Sequence, residues 1–100
     1  GEIHYLDPKD ILYISKEEKI TKIIAKHGEY ETKTPLKDLE TRLAPFHFIR
    51  IHKAYLVNLD YVVRLTPWFH GAFHLQLQGT DEMLPVSRSY VKNLRMRLEL

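Results

Sequence analysis

The connections in this chain constrain its fold more than the apolar runs they join. β-Type runs occupy residues 11–15, 20–26, 30–34, 46–51, 54–57, 61–65, 73–77 and 82–86. Most are separated by short turn signals: Lys16-Glu17-Glu18-Lys19, His27-Gly28, the stretch 58–60, Thr66-Pro67 and Gly79-Thr80-Asp81. A parallel pair needs a crossover of roughly a dozen residues or more. Most of these gaps are too short for one, so the runs are expected to pair as antiparallel hairpins. Phe73, Leu75 and Leu77 alternate with His74, Gln76 and Gln78, the pattern of a strand buried on one face.

Two segments break the β pattern. Leu36, Leu39 and Leu43 fall at helical spacing, with Pro35 suited to the first helical position and Thr34 as its N-cap. Ala44-Pro45 stops that helix. Residues 87–98 form a second helix, with Tyr90, Val91, Leu94 and Leu98 as its apolar stripe and Ser87 as its cap. The fold class is therefore mostly β with two short helices. At 100 residues, 44% hydrophobic and 28% charged, the chain has the balance of one folded domain rather than of a disordered segment. We take residues 1–100 as that single domain. The chain opens on Gly1 rather than Met and is expected to be cut from a longer protein.

Several kinds of chemistry are excluded at once. With no cysteine there is no disulfide, thiolate metal site or thiol nucleophile, which fits a cytoplasmic location. No apolar run approaches the length of a membrane span, so no membrane contact is expected. No Gly-rich phosphate loop or Gly-x-Ser-x-Gly elbow occurs. Asp81-Glu82 sit at a hairpin turn, where they are expected to be solvated rather than desolvated for general-acid work. His70 and His74 are four apart, but on an extended chain that is roughly 13 Å, too far to share an ion. The expectation is no metal, no cofactor and no enzyme.

Charge is more informative in its distribution than in its sum of +2. Between Glu40 and Asp60 there is no acid, but there are Arg42, Arg50 and Lys53. Between Glu82 and Glu99 there is again none, but there are Arg88, Lys92, Arg95 and Arg97. Charge alone is met by two ordinary solvated faces. Placement adds to it. If Ile49 and Ile51 face the core, Arg50 and His52 face solvent together, with Lys53 on the loop beyond. Ser87-Arg88-Ser89 opens the last helix, where free N–H groups and the helix dipole favour phosphate, and Lys92 lies one turn on. Arginine and lysine reach phosphate oxygens and the O6/N7 edge of guanine. A basic strand exit and a basic helix start on one exposed ridge would suit nucleic acid.

These same residues carry a family likeness. The run Phe48-Ile49-Arg50-Ile51-His52-Lys53-Ala54-Tyr55-Leu56-Val57-Asn58-Leu59-Asp60-Tyr61-Val62 resembles the signature of LytTR (LytR/AlgR-type) DNA-binding domains. Leu84-Pro85-Val86-Ser87-Arg88-Ser89-Tyr90 resembles the second signature, and the resemblance covers nearly the whole chain in order. It implies an elongated fold of about ten short, mainly antiparallel strands, serving as the C-terminal output module of a bacterial transcription regulator. It also implies sequence-specific binding of double-stranded DNA, with loops and strand ends entering successive major grooves of a promoter direct repeat. An N-terminal receiver or sensor domain and a dimer on DNA would go with it. Carried over by position, contacts fall on His52 and Lys53, on Arg88, and on Lys19, Thr21 and Lys22. With the basic segments above, the expected DNA-binding set is Lys19, Thr21, Lys22, Arg50, His52, Lys53, Ser87, Arg88, Ser89 and Lys92. Two positions depart from the pattern: Lys53 stands where arginine is commoner and Ala54 where serine is. Lysine lacks the bidentate fork, which shifts that contact toward phosphate.

Two other readings compete. Residues 68–73 (Trp-Phe-His-Gly-Ala-Phe) and an open strand edge would suit a protein-interaction module, with Phe73 in the core and Trp68 or Phe69 exposed. A hydrolase would need His52 or His74 beside Asp60 or Asp81 in a desolvated pocket.

Overall fold

The structure, a computed structural model, describes residues 4–100; Gly1 and its two neighbours lie outside the described residues. Eight strands and two α-helices follow one another along the described residues. They are β1 (Ile11–Glu17), β2 (Ile20–Ala25), β3 (Gly28–Thr32), α1 (Leu36–Leu43), β4 (Phe48–His52), β5 (Tyr55–Asn58), β6 (Val62–Pro67), β7 (Phe73–Leu77), β8 (Met83–Val86) and α2 (Arg88–Leu98). Short gaps produce the expected result: every pairing is antiparallel. One sheet runs β3-β2-β1-β5-β4 and the other β6-β7-β8. The body is elongated, 44 × 25 × 24 Å. Eight strands stand where about ten were expected. Short connections between them are 3₁₀ turns, at Ala44–Phe46, Leu59–Tyr61 and Phe69–Gly71.

The β1, β5 and β4 part of the five-stranded sheet is buried on both faces. Ile14, Phe48 and Leu56 pack with Leu36 and Leu43 of α1. Tyr13, Ile49, Ile51 and Val57 pack on the other side with Leu75, Leu77, Leu84 and Val86 of the smaller sheet and Leu94 of α2. The paired register explains the division, since Ile14 opposes Ile23 and Leu56, whereas Tyr13 opposes Ile24 and Val57. Each fully buried leucine or isoleucine contributes about 1.5–3 kcal/mol relative to exposure. At Gly79, φ is +97° and an added Cβ would lie 2.9 Å from Leu12 Cδ2, so only glycine lets the β7–β8 turn close over the larger core.

Polar side chains fasten the strand ends. Asn58, 1% exposed, donates from Nδ2 to the Ile11 carbonyl (3.0 Å) and accepts at Oδ1 from the Asp60 N–H (3.0 Å). The cap expected at Thr34 is corrected. Pro35, extended at φ −59° and ψ 146°, takes the cap position, and the Thr34 hydroxyl is bonded to Thr32 Oγ1 (3.1 Å) instead. Ser87 does occupy the cap of α2, but its side chain makes no capping bond; its carbonyl accepts from the Tyr90 N–H (2.8 Å).

Candidate nucleic-acid interface

Two backbone hydrogen bonds gather three distant segments at one end of the larger sheet. The Lys16 N–H donates to the Ala54 carbonyl (2.8 Å), tying the β1–β2 hairpin to the β4–β5 turn. The Ser87 N–H donates to the Ile51 carbonyl (3.0 Å), seating the start of α2 against the end of β4. Residues 16–19, 52–54 and 87–89 thus become neighbours.

Their side chains do not all share one face. β4 and β5 pair Arg50 with Leu56 and then, across an irregularity, His52 with Tyr55. Leu56 belongs to the α1 core, whereas Tyr55 packs against the other. A bulge adds a residue to one strand and re-aims the side chains beyond it. Arg50 and His52 therefore leave opposite faces of the sheet, which corrects the expectation that they face solvent together.

Arg50 is withdrawn from solvent. Its side chain is 15% exposed, with Nη2 on Glu40 Oε1 of α1 (2.8 Å) and Nη1 donating to the Lys53 carbonyl (2.9 Å). Its buried Nε has no partner. The guanidinium fork braces the turn that carries Lys53 rather than presenting itself to a ligand. His52 is fixed by its neighbour: Nδ1 accepts from the Ala54 N–H (3.0 Å), and the ring lies edge-on to Tyr55 (5.5 Å). Burial, and then the charge of Lys53, hold its pKa below the ordinary value. The neutral ring accepting at Nδ1 carries its hydrogen on Nε2, which is left as a donor. Lys53 is exposed at the tip.

Of the three candidates on the first hairpin, Lys19 alone is both exposed and without an ion pair among the described residues. Thr21 is 4% exposed and its hydroxyl donates to the Thr34 carbonyl (2.9 Å), so it serves the hairpin. Lys22 pairs with Glu17 (3.1 Å), whose hydrogen bond raises its pKa, and it lies on the opposite face from Thr21.

At the other flank, Arg88 and Ser89 are exposed and Ser87 is half-buried. Gly71, at φ +79°, lets the Arg88 stem pass close; a Cβ there would lie 3.2 Å from Arg88 Cδ. Arg88, Lys92 and Arg95 line one groove along α2 and make no ion pair with a described residue. Arg95 was not among the expected contacts, although its spacing of seven from Arg88 puts both on one helical face. Lys33 and Lys37 were not expected either. They flank Pro35, and their closeness to the hairpin tip is a consequence of tertiary structure.

The aromatic stretch divides as expected for Phe73, which packs against the larger core. Trp68 and Phe69 are both exposed, at 52% and 71%, and Trp68 stacks on His74 with ring centres 4.0 Å apart. The hydrolase constellation does not assemble among the described residues. Asp60 faces His47 (3.2 Å) at an exposed site, and His52 spends Nδ1 on the backbone.

The family model for the LytTr DNA-binding domain matches residues 1–99. This chain belongs to the LytTR family of DNA-binding domains. It is 42% identical over 91 residues to the sensory transduction protein LytT of Oceanobacillus iheyensis, covering 89% of the chain and 37% of that protein. It is 33% identical to the transcriptional regulatory protein LytR of Staphylococcus aureus, covering 99% of the chain and 40% of that protein. This LytTR domain thus spans about two-fifths of the length of the curated relatives it matches. A solved LytTr DNA-binding domain from Bacillus cereus superposes with a TM-score of 0.86 at 27% identity, over 95% of this chain and 86% of that one. The mostly β LytTR fold expected from the signatures is the one observed. No described helix is long and apolar enough to cross a membrane.

Proposed function

We propose that this LytTR domain is the output module of a bacterial transcription regulator acting in the cytoplasm. It binds double-stranded promoter DNA by sequence across a direct repeat, under control of a receiver or sensor domain elsewhere in the parent chain, with dimerisation on the duplex. The observation that carries this reading is the pair of backbone bonds, Lys16 to Ala54 and Ser87 to Ile51, that bring three cation-bearing segments to one end of the sheet. Lys19, Lys53, Arg88, Ser89 and Lys92 contact DNA from there. His52 offers its Nε2–H beside them. Arg50, Thr21 and Ser87 act by holding these groups in place, and Lys22 contributes once released from Glu17. Arg88 has the fork that reads guanine, whereas the lysines are suited to phosphate.

Affinity should fall by roughly 10³-fold between 50 and 200 mM salt if about six or more phosphates are neutralised. Arg88→Ala should cost about 1–3 kcal/mol on a duplex selected from a random pool and little on scrambled sequence. Gel-shift titrations at two salt concentrations check both. Equal losses on the two duplexes would reduce Arg88 to a phosphate anchor. A second reading, a protein-binding module, is favoured by the exposure of Trp68 and Phe69. It requires partner binding that ignores salt and survives Arg88→Ala.

A further inference from the structure

A lysine-lined concavity lies on the α1 side of the sheet, away from Arg88. It is an open cleft of about 440 Å³ between the β1–β2 hairpin tip, the start of α1 and the β4–β5 turn. Lys16, Lys19, Lys33, Lys37 and Lys53 line it. All five are exposed, and none is in an ion pair with a described residue. Glu18 is the one acid on the lining, and Glu40 nearby is already taken by Arg50. A chain with a net charge of only +2 thus concentrates its cations here.

We infer that this cleft is a clamp for the phosphate backbone of DNA flanking the segment read at Lys53 and Arg88. The inference rests on the proposed DNA reading and extends it to the β3–α1 connection and the start of α1, which neither signature run includes. Three features favour a duplex backbone over a compact ligand. Its lining presents lysines, point charges on flexible stems that follow a phosphate chain without fixing a geometry. The cleft is open at the surface, where a low-dielectric wall focuses the field of clustered charges on an approaching polyanion. Lys53 belongs both to the cleft and to the central turn, so a strand touching that turn continues into the cleft without a gap. Because α1 and α2 cover opposite faces of the sheet, DNA laid across its end is held on both flanks.

The test is the salt dependence of binding to a mixed-sequence duplex. Lys33→Gln/Lys37→Gln changes two exposed side chains and should leave the circular dichroism spectrum unaltered. The slope of log K against log salt should shrink by about 0.9 for each phosphate no longer neutralised, and affinity at 0.1 M salt should drop roughly ten-fold or more. The loss should be the same on a selected duplex, in contrast to Arg88→Ala. Lys16→Gln should give a smaller loss of the same kind. Lys9→Gln/Arg64→Gln removes the same charge outside the cleft and should change the slope little. Parental slope and affinity in the cleft variant, or equal effects of the two double variants, would overturn the clamp while leaving the DNA reading intact. Failure of the unsubstituted chain to bind any duplex would overturn both.

Discussion

Arg50 and Arg88 look alike in one dimension. Each stands in an acid-free basic stretch at the boundary of a regular element, and each belongs to a family signature. Folding separates them. Arg50 is drawn beneath α1, where Glu40 and the Lys53 carbonyl occupy two of its nitrogens. Arg88 meets no acceptor among the described residues; the missing side chain of Gly71 gives its stem a track toward solvent. An arginine with acceptors on two other segments is a brace, and one with none is available to a ligand. What distinguishes them is the neighbour supplied by tertiary structure, not the residue.

The largest expected effect would break this contrast if it failed. Arg50→Ala leaves the Lys53 carbonyl unpaired and the half-buried Glu40 carboxylate without its cation. It should cost about 2–3 kcal/mol of stability, read as a lower urea midpoint at unchanged slope. Arg50→Lys should recover less than half of that, because one ammonium does not span both acceptors. Arg88→Ala, changing an exposed side chain, should stay within about 0.5 kcal/mol of the parent. Comparable destabilisation by the two alanine variants would erase the division of labour.

Hairpins and helices were legible in the sequence, because turn signals and residue periodicity are local. Leu36, Leu39 and Leu43 announced α1, and alternation from Phe73 to Leu77 announced β7. The site was legible as segments and only partly as side chains. Alternation assigned Arg50 and His52 to one face, and a single bulge undid it, since an irregularity in register leaves no mark in composition. Thr21 looked like any hairpin threonine until its hydroxyl met the Thr34 carbonyl thirteen residues away. Lys33 and Lys37 face the hairpin tip only because β3 returns along β2 and delivers α1 to that end. Family likeness named the fold and the segments at once, but it carried contacts by position and so placed Thr21 among them.

Gly71 offers an intermediate effect that sharpens the comparison from the other side. With φ at +79°, alanine would be strained there, and its Cβ would press on Arg88 Cδ and Cγ at 3.2 and 3.3 Å. Gly71→Ala should cost about 1 kcal/mol or somewhat more in stability. It should also weaken binding to a selected duplex more than to a scrambled one, by displacing Arg88. Gly28, at φ +158° with nothing within 4 Å of an added Cβ, provides the control. If Gly28→Ala and Gly71→Ala affected DNA selectivity equally, the Arg88 stem would not depend on the turn beside it.

The smallest effect separates the two braces of the β4–β5 turn. Arg50 holds it through the hydrogen bond from Nη1 to the Lys53 carbonyl, which involves no imidazole. His52 holds it through Nδ1, which accepts the Ala54 N–H only while the ring is neutral. Burial, with Lys53, lowers its folded pKa below the unfolded value near 6.5. The folded chain therefore binds fewer protons at this site than the unfolded one. The stabilisation is complete above about pH 6.5 and is lost as the pH falls from there through the depressed pKa. Unfolding free energies measured between pH 7.5 and 5 should fall more steeply in the parent than in His52→Ala, since the two chains differ only at this imidazole. In Arg50→Ala, the extra steepness should persist or grow, because the turn then leans on His52 alone. Parallel profiles for the parent and His52→Ala would show that the Ala54 N–H does not rely on the imidazole.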